Sequence, residues 1–202
     1  MRFYETATNA HGLKHDPFKA IVSPRPIGWI GTKGKDGSRN LSPYSFFNIV
    51  SSDPKIVMFS SALGNDSPRN TEETGVFTVS LVSRDLLLPM NASSVVVPYG
   101  TDEFAIAGLT PVMGTLVDAP YVGEAHAVLE CRVTQILHPA TLDGSQADAA
   151  ITFGQVVGIH IDDAVIREGR LDMAAVRPMG RMGYMDYCDG GDVFELMRPK
   201  RP

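Results

Sequence analysis

The sequence predicts a mainly β protein, a closed or partly closed β-barrel carrying a few short helices. Three observations carry that expectation. Six short runs are either apolar throughout or alternate with period two, and turn residues separate them. An Asp36-Gly37 pair stands between the first two runs, which is the signature of a tight hairpin. No long stretch of 3.6-residue periodicity separates successive runs, so the β-helix-β rhythm of a parallel sheet is missing.

The elements follow in chain order. Ile27, Trp29 and Gly31 alternate with Gly28, Ile30 and Thr32, and Pro24 and Pro26 keep that run from starting as a helix. The turn at 33–37 leads into a second run from Asn40. Residues 56–61 and 76–82 are short apolar runs that read as buried strands. Between them, Asp66 or Ser67 is placed to cap a helix with Pro68 at its first position and Gly75 just past its end. A second short helix is expected over 83–94 despite Pro89, and a third of a turn or two over 172–177. The clearest alternation lies in 125–138. Ala125, Ala127, Leu129, Cys131, Val133 and Leu137 share one face, while His126, Glu130, Arg132, Thr134 and His138 make a wet one. Small polar residues over 142–150 read as a surface loop before a last long strand, 152–162.

Composition bounds the function. A chain of 202 residues, without repeats or low-complexity tracts, is expected to form one domain over 1–202. Eighteen basic against 23 acidic residues, net −5, argues against a nucleic-acid binder, which needs a basic face. The longest uncharged stretch, 86–101, is interrupted by Pro89 and Pro98 and does not suit a membrane span. Glu5 stands where a secretory signal would want an apolar run, and Cys131 and Cys188 are too few for a disulfide scaffold; a cytoplasmic protein is expected.

Several chemistries are excluded by absent motifs. No Gly-x-Gly-x-x-Gly follows a strand, no phosphate-binding Gly-Lys-Ser/Thr loop occurs, and neither His-Glu-x-x-His nor Gly-x-Ser-x-Gly is present. His11 and His15 are four apart, but Gly12 lies between them, so no metal site is expected. Two polar segments remain. Asn40-Leu41-Ser42-Pro43-Tyr44-Ser45-Phe46-Phe47-Asn48 mixes hydroxyls, amides and aromatics. Ser60-Ser61, followed by Asp66-Ser67-Pro68-Arg69-Asn70, joins a strand end to a helix start, where backbone N–H groups, hydroxyls and one Arg suit a phosphate. The same residues also read as an ordinary cap and a solvated surface charge.

In order along nearly the whole chain, Pro24-Arg25-Pro26-Ile27-Gly28-Trp29, Asn40 to Asn48, Ser52-Asp53-Pro54, Asp66 to Thr71, Asp102-Glu103-Phe104 and Gly180-Arg181-Met182-Gly183-Tyr184 resemble the flavin reductase-like family of FMN-binding split barrels. The resemblance implies a six-stranded Greek-key split β-barrel and a homodimer holding one FMN per protomer. It implies hydride transfer from NADH or NADPH to the flavin, and a partner monooxygenase or other electron acceptor. An FMN-containing electron carrier and a non-redox flavin-binding module are the alternatives. By the same resemblance, Asn40, Ser42, Pro43, Tyr44 and Ser45 lie along the ring and ribityl chain with Asn48 behind. Ser60, Ser61, Asp66, Ser67, Arg69 and Asn70 take the ribityl chain and phosphate. Family members often carry Lys where this chain has Asn65, which leaves Arg69 as the nearby cation. Tyr44 and Tyr184 read equally as ring neighbours or dimer-seam packing, Trp29 reads as core packing before a ring neighbour, and His160 as an idle strand histidine before a nicotinamide neighbour.

Overall fold

A computed structural model describes residues 1–199; positions 200–202 of the expected domain lie outside the described residues. Seven strands form one antiparallel sheet: β1 Gly28–Lys33, β2 Arg39–Tyr44, β3 Phe47–Ser52, β4 Lys55–Ser61, β5 Val76–Leu81, β6 Ala127–Leu137 and β7 Ala150–Ile161. Their spatial order is β2-β1-β5-β6-β7-β4-β3. Strands β5, β6 and β7 lie side by side and β4 returns beside β7, which is a Greek key. The two edges of the sheet, β2 and β3, are consecutive in sequence and joined only by Ser45 and Phe46. The sheet must therefore curl until its ends meet. They meet without a ladder. Ser60 N–H donates to the Phe46 carbonyl at 2.8 Å, Ser61 Oγ donates to Tyr44 Oη at 3.3 Å, and the Tyr44 and Phe59 rings lie 5.2 Å apart. This seam is the split of the barrel.

Curling needs bends, and the chain supplies them on the longest pair. Register shifts between β6 and β7 fall at Phe153/Gly154 and Val156/Gly158. Gly154 is required there because a Cβ would sit 2.4 Å from the Phe77 ring. Inside the barrel Ile30, Phe59, Phe77, Val79 and Cys131 pack together, and burial pushes the Cys131 thiol up to about 12. The outer face of β1 is also covered. Trp29, Leu41, Met90 and Phe104 form a second core under helices α2 (Leu87–Ala92) and α3 (Glu103–Ala107). Trp29 is wholly buried and donates to Ser93 Oγ at 2.9 Å, so it is a core residue. No helix among the described residues is long and apolar enough to cross a membrane.

The structure corrects the sequence expectations at several elements. The sheet has a seventh strand, β3, which begins at the end of the polar segment 40–48 and runs past it; its exposed apolar side chains, Ile49 and Val50, gave no alternation. Helix α1, Asp66–Thr74, starts one to two residues earlier than expected, with Asn65 at its N-cap and no side-chain cap. Ser67 is fully buried and accepts a hydrogen bond from Asn40 instead of capping. Gly75 does end α1, at φ 72°. The helix over 83–94 shortens to Leu87–Ala92, and α3, capped by Asp102, was not foreseen. Glu130 belongs to no wet face. It is 1% exposed because the loop before β6 folds over it and donates three backbone N–H groups, from Thr115, Leu116 and Val117.

Candidate functional site

The barrel seam opens into a cleft on either side of Pro43 and Tyr44. One cavity, about 260 Å³, is lined by Asn40, Ser42, Asp66, Glu103 and the 95–97 segment; the other, about 340 Å³, by Ser45, Ser60, Ser61, Lys19, Arg25 and Arg181. Pro43, Tyr44 and Asn65 line both, so the two are halves of one elongated space. Its size falls in the range of small-molecule sites.

Local packing fixes the polar groups. Asn40 pairs in register with Thr32 across the β1–β2 ladder. Its Nδ2 donates to Thr32 Oγ1 at 3.0 Å and to Ser67 Oγ at 2.9 Å. Asn70, buried behind, donates to the same Thr32 Oγ1 at 3.0 Å and accepts from Tyr99 Oη at 3.2 Å. With both amide protons committed, the carbonyl oxygen is the part of the Asn40 side chain left for a ligand. Ser61 Oγ is shared between Asn65 Nδ2, 2.9 Å away, and the Tyr44 hydroxyl. Burial pushes the Tyr44 phenol above its ordinary value, keeping it neutral and a donor.

The two halves carry opposite charge. Burial raises both carboxylates of the first cavity; Glu103, which accepts from Leu41 N–H at 3.0 Å, is raised further by Asp66 nearby. The second cavity has three cations. Arg25 is locked in place by donating to the carbonyls of Lys19, Val22 and Met182 and to Ser45 Oγ. Arg181 donates to the Tyr184 carbonyl and stacks 4.4 Å from the Tyr187 ring. Lys19 stands 6.0 Å from the Phe46 ring centroid.

Of the residues singled out from sequence, Asn40, Ser42, Pro43, Tyr44, Ser45, Ser60, Ser61 and Asp66 line the cleft. Ser67 and Asn70 lie directly behind Asn40 and hold it. Two lie off the cleft. Arg69 pairs with Glu73 at 3.2 Å and lies 4.0 Å over the Tyr99 ring. Asn48 accepts from Ile49 N–H and lines a neighbouring apolar groove with Phe46 and Met58. Sequence reasoning missed Lys19, Arg25, Arg181 and Glu103 as liners. Arg25, Glu103 and Arg181 each stood in a motif that was singled out, but nothing in the spacing showed that the chain ends converge on one seam. His160 is remote from these cavities: it pairs with Glu130 and stacks 5.0 Å from the Tyr121 ring.

The donor set fits a flavin mononucleotide. A Pro43–Tyr44 wall suits a planar ring, the hydroxyls and amides of Asn40, Ser42, Ser61 and Asn65 suit a polyol chain, and Lys19 and Arg25 of the cationic half suit a phosphate.

A family model described as "Flavin reductase like domain" matches residues 22–179. The chain is 33% identical over 183 residues to a protein of Halalkalibacterium halodurans, an alignment spanning 88% of this chain and 87% of that one. It is similar in structure to nitrilotriacetate monooxygenase component B from Bacillus cereus, with TM-score 0.89, 26% identity and coverage of 97% and 98% of the two chains. It is also similar to flavoredoxin of Desulfovibrio vulgaris, with TM-score 0.76, 26% identity and coverage of 88% and 91%.

Proposed function

The chain belongs to the flavin reductase-like family, and from that premise we propose that it is an FMN-binding oxidoreductase that passes hydride from NADH or NADPH to flavin. The observation that carries the reading is the graded chemistry of one cleft: a flat Pro43–Tyr44 wall, a hydroxyl and amide middle, and a cationic end. When bound, the flavin supplies a two-electron acceptor. The chain's own residues orient and shield. Asn40 presents its carbonyl oxygen because Thr32 and Ser67 hold its amide protons. Tyr44 stays protonated and accepts from Ser61 at the seam, and Lys19 and Arg25 oppose the phosphate charge beside Asn65. Arg69, paired with Glu73, stands outside the cleft and contributes less to the phosphate than Lys19, and Asn48 lies on the strand beside it. Hydride transfer needs close stacking rather than an acid or base, so no side chain is assigned a proton.

The protein acts as a homodimer in this reading, and the similarity to a monooxygenase component B supports a partner monooxygenase as the consumer of reduced flavin. The test is titration of flavin-free protein with FMN, then anaerobic mixing with each reduced nicotinamide. Saturable FMN binding followed by bleaching of the flavin absorbance is expected. Binding without bleaching by either nicotinamide would instead make the protein an electron carrier, a role to which the similarity to flavoredoxin points.

A further inference from the structure

A third cavity, about 340 Å³, adjoins the cleft and shares Pro43, Ser45 and Arg181 with its cationic half. Ile27, Met90, Met185 and Tyr187 give it apolar walls, and Asn91 and Ser94 its remaining polar edge. Arg181 is the one charged residue lining it. That arginine differs from five others in this protein. Arg39, Arg69, Arg167, Arg170 and Arg177 each pair with a carboxylate. Arg181 has no carboxylate partner among the described residues. Its guanidinium is fixed by the Tyr184 carbonyl at 2.6 Å and the Tyr187 ring at 4.4 Å. Two contacts leave donors of its five-proton fork uncommitted.

The turn that positions it is tightly determined. Tyr184 sits at φ 51°, a conformation costly for a bulky residue, while Gly183 packs so closely on the helix Phe18–Ile21 that a Cβ would lie 2.6 Å from Ala20. Arg25 donates to the Met182 carbonyl in the same turn. A fixed, carboxylate-free cation at the edge of a chamber with both apolar and polar walls suits a planar body with a single negative charge that can take a bidentate fork. Methionine walls adapt to its outline.

We infer that this chamber binds a small aromatic carboxylate, with its charge on Arg181 and its ring against Met90, Met185 and Tyr187. The occupancy stands independently of the flavin; its use as a second-substrate site beside the flavin ring rests on the function proposed above. Calorimetric titration of the FMN-loaded protein with benzoate, benzamide and acetate tests it. Benzoate is expected to bind saturably, and benzamide about tenfold more weakly because the charge-assisted contact is lost. Acetate, which has charge but no ring, is expected not to bind in the same range. Arg181→Met should erase the preference for benzoate over benzamide, and Arg181→Lys should restore part of it. Equal binding of benzoate and benzamide, or a preference that survives Arg181→Met, overturns the inference. Flavin absorbance read in the same samples separates the outcomes: benzoate binding to protein that holds no FMN would preserve the chamber and remove the flavin reading.

Discussion

Arg69 and Lys19 divide the phosphate question between them. Arg69 is already neutralised by Glu73 and stacked on Tyr99, whereas Lys19 lines the cationic half of the cleft without a carboxylate partner among the described residues. We expect Lys19→Met to weaken FMN binding about threefold to tenfold, the scale of one exposed charge-assisted contact, and riboflavin binding by much less. Arg69→Ala should cost less than Lys19→Met. Fluorescence titrations with both flavins check this, and a larger, FMN-selective loss in Arg69→Ala would move the phosphate to the outer side of α1. Glu130 shows how little a strand pattern says about a single charged residue. Alternation put it on the wet face, and only the return of residues 115–117, distant in sequence from their partner's pattern, buries it. Burial by itself would raise its carboxyl, but the His160 contact and the three backbone donors outweigh that and hold it below its ordinary value. A folded-state value below the unfolded one gives stability that is complete above about pH 4.5 and is lost as the pH falls through the folded value. Glu130→Ala leaves three backbone N–H groups without their acceptor, one of them buried, and is expected to cost about 3 kcal/mol in urea unfolding at neutral pH. Glu130→Gln should flatten the acid limb of the stability profile, and an unchanged limb would refute the linkage.

At the scale of elements, the strands were legible wherever a side chain's environment repeats along the run. β1, β4, β5, β6 and β7 lie within two residues of their expected spans because their apolar side chains enter the cores. β3 was not, because Ile49 and Val50 are exposed on the outside of the sheet and its pairing with β4 uses backbone groups that any sequence offers. The cleft was half legible for a related reason. The residues on β2, on β4 and at the start of α1 are close in sequence and carry recognisable polar chemistry. The cations at 19, 25 and 181 come together only because the strand Arg25–Pro26 pairs with Met179–Arg181, a contact no local pattern encodes. The bends that let the sheet close are equally specific. Gly154→Ala puts a methyl against the Phe77 ring inside the barrel, where neighbours are fixed by packing, and is expected to destabilise by about 1–3 kcal/mol. Gly75→Ala, which meets nothing within 4 Å, should cost only about 1 kcal/mol from its left-handed backbone. Thermal unfolding of the two variants separates steric from conformational loss, and equal shifts would contradict the packing at β7.

On the scale of the whole molecule, the surface around the seam is incomplete in a particular way. Phe18, Ile21, Val22, Phe46, Ile49 and Val50 are all exposed large apolar residues. Most of them line or border an apolar groove that runs from the helix Phe18–Ile21 to β3. Phe46 belongs to both the groove and the cationic half of the cleft, so whatever covers the groove also reaches the ligand. Contiguous apolar surface of this kind is costly to leave in water, and a β-edge beside it invites pairing with another chain. The proposed occupant is a second copy in an isologous arrangement, since a face that is apolar on one protomer is apolar on the other and a two-fold axis brings both into contact. An interface of roughly 2,000 Å² in total would suffice for a stable dimer. Ile49→Asp is chosen to break it, because Ile49 is 71% exposed in one chain, lines no part of the cleft and has little to lose in the fold itself. The substitution puts a charge on each protomer's copy of the apolar face. Sedimentation velocity is expected to find a dimer for the unmodified chain at micromolar concentration and a monomer for Ile49→Asp, with unfolding midpoints unchanged at dilutions where both are monomeric. FMN affinity should fall with dimer dissociation, because the cleft loses the wall that a partner would supply beyond Phe46. A monomer that binds FMN as tightly as the dimer would show instead that one protomer closes the cleft alone, and the apolar face would then need another occupant.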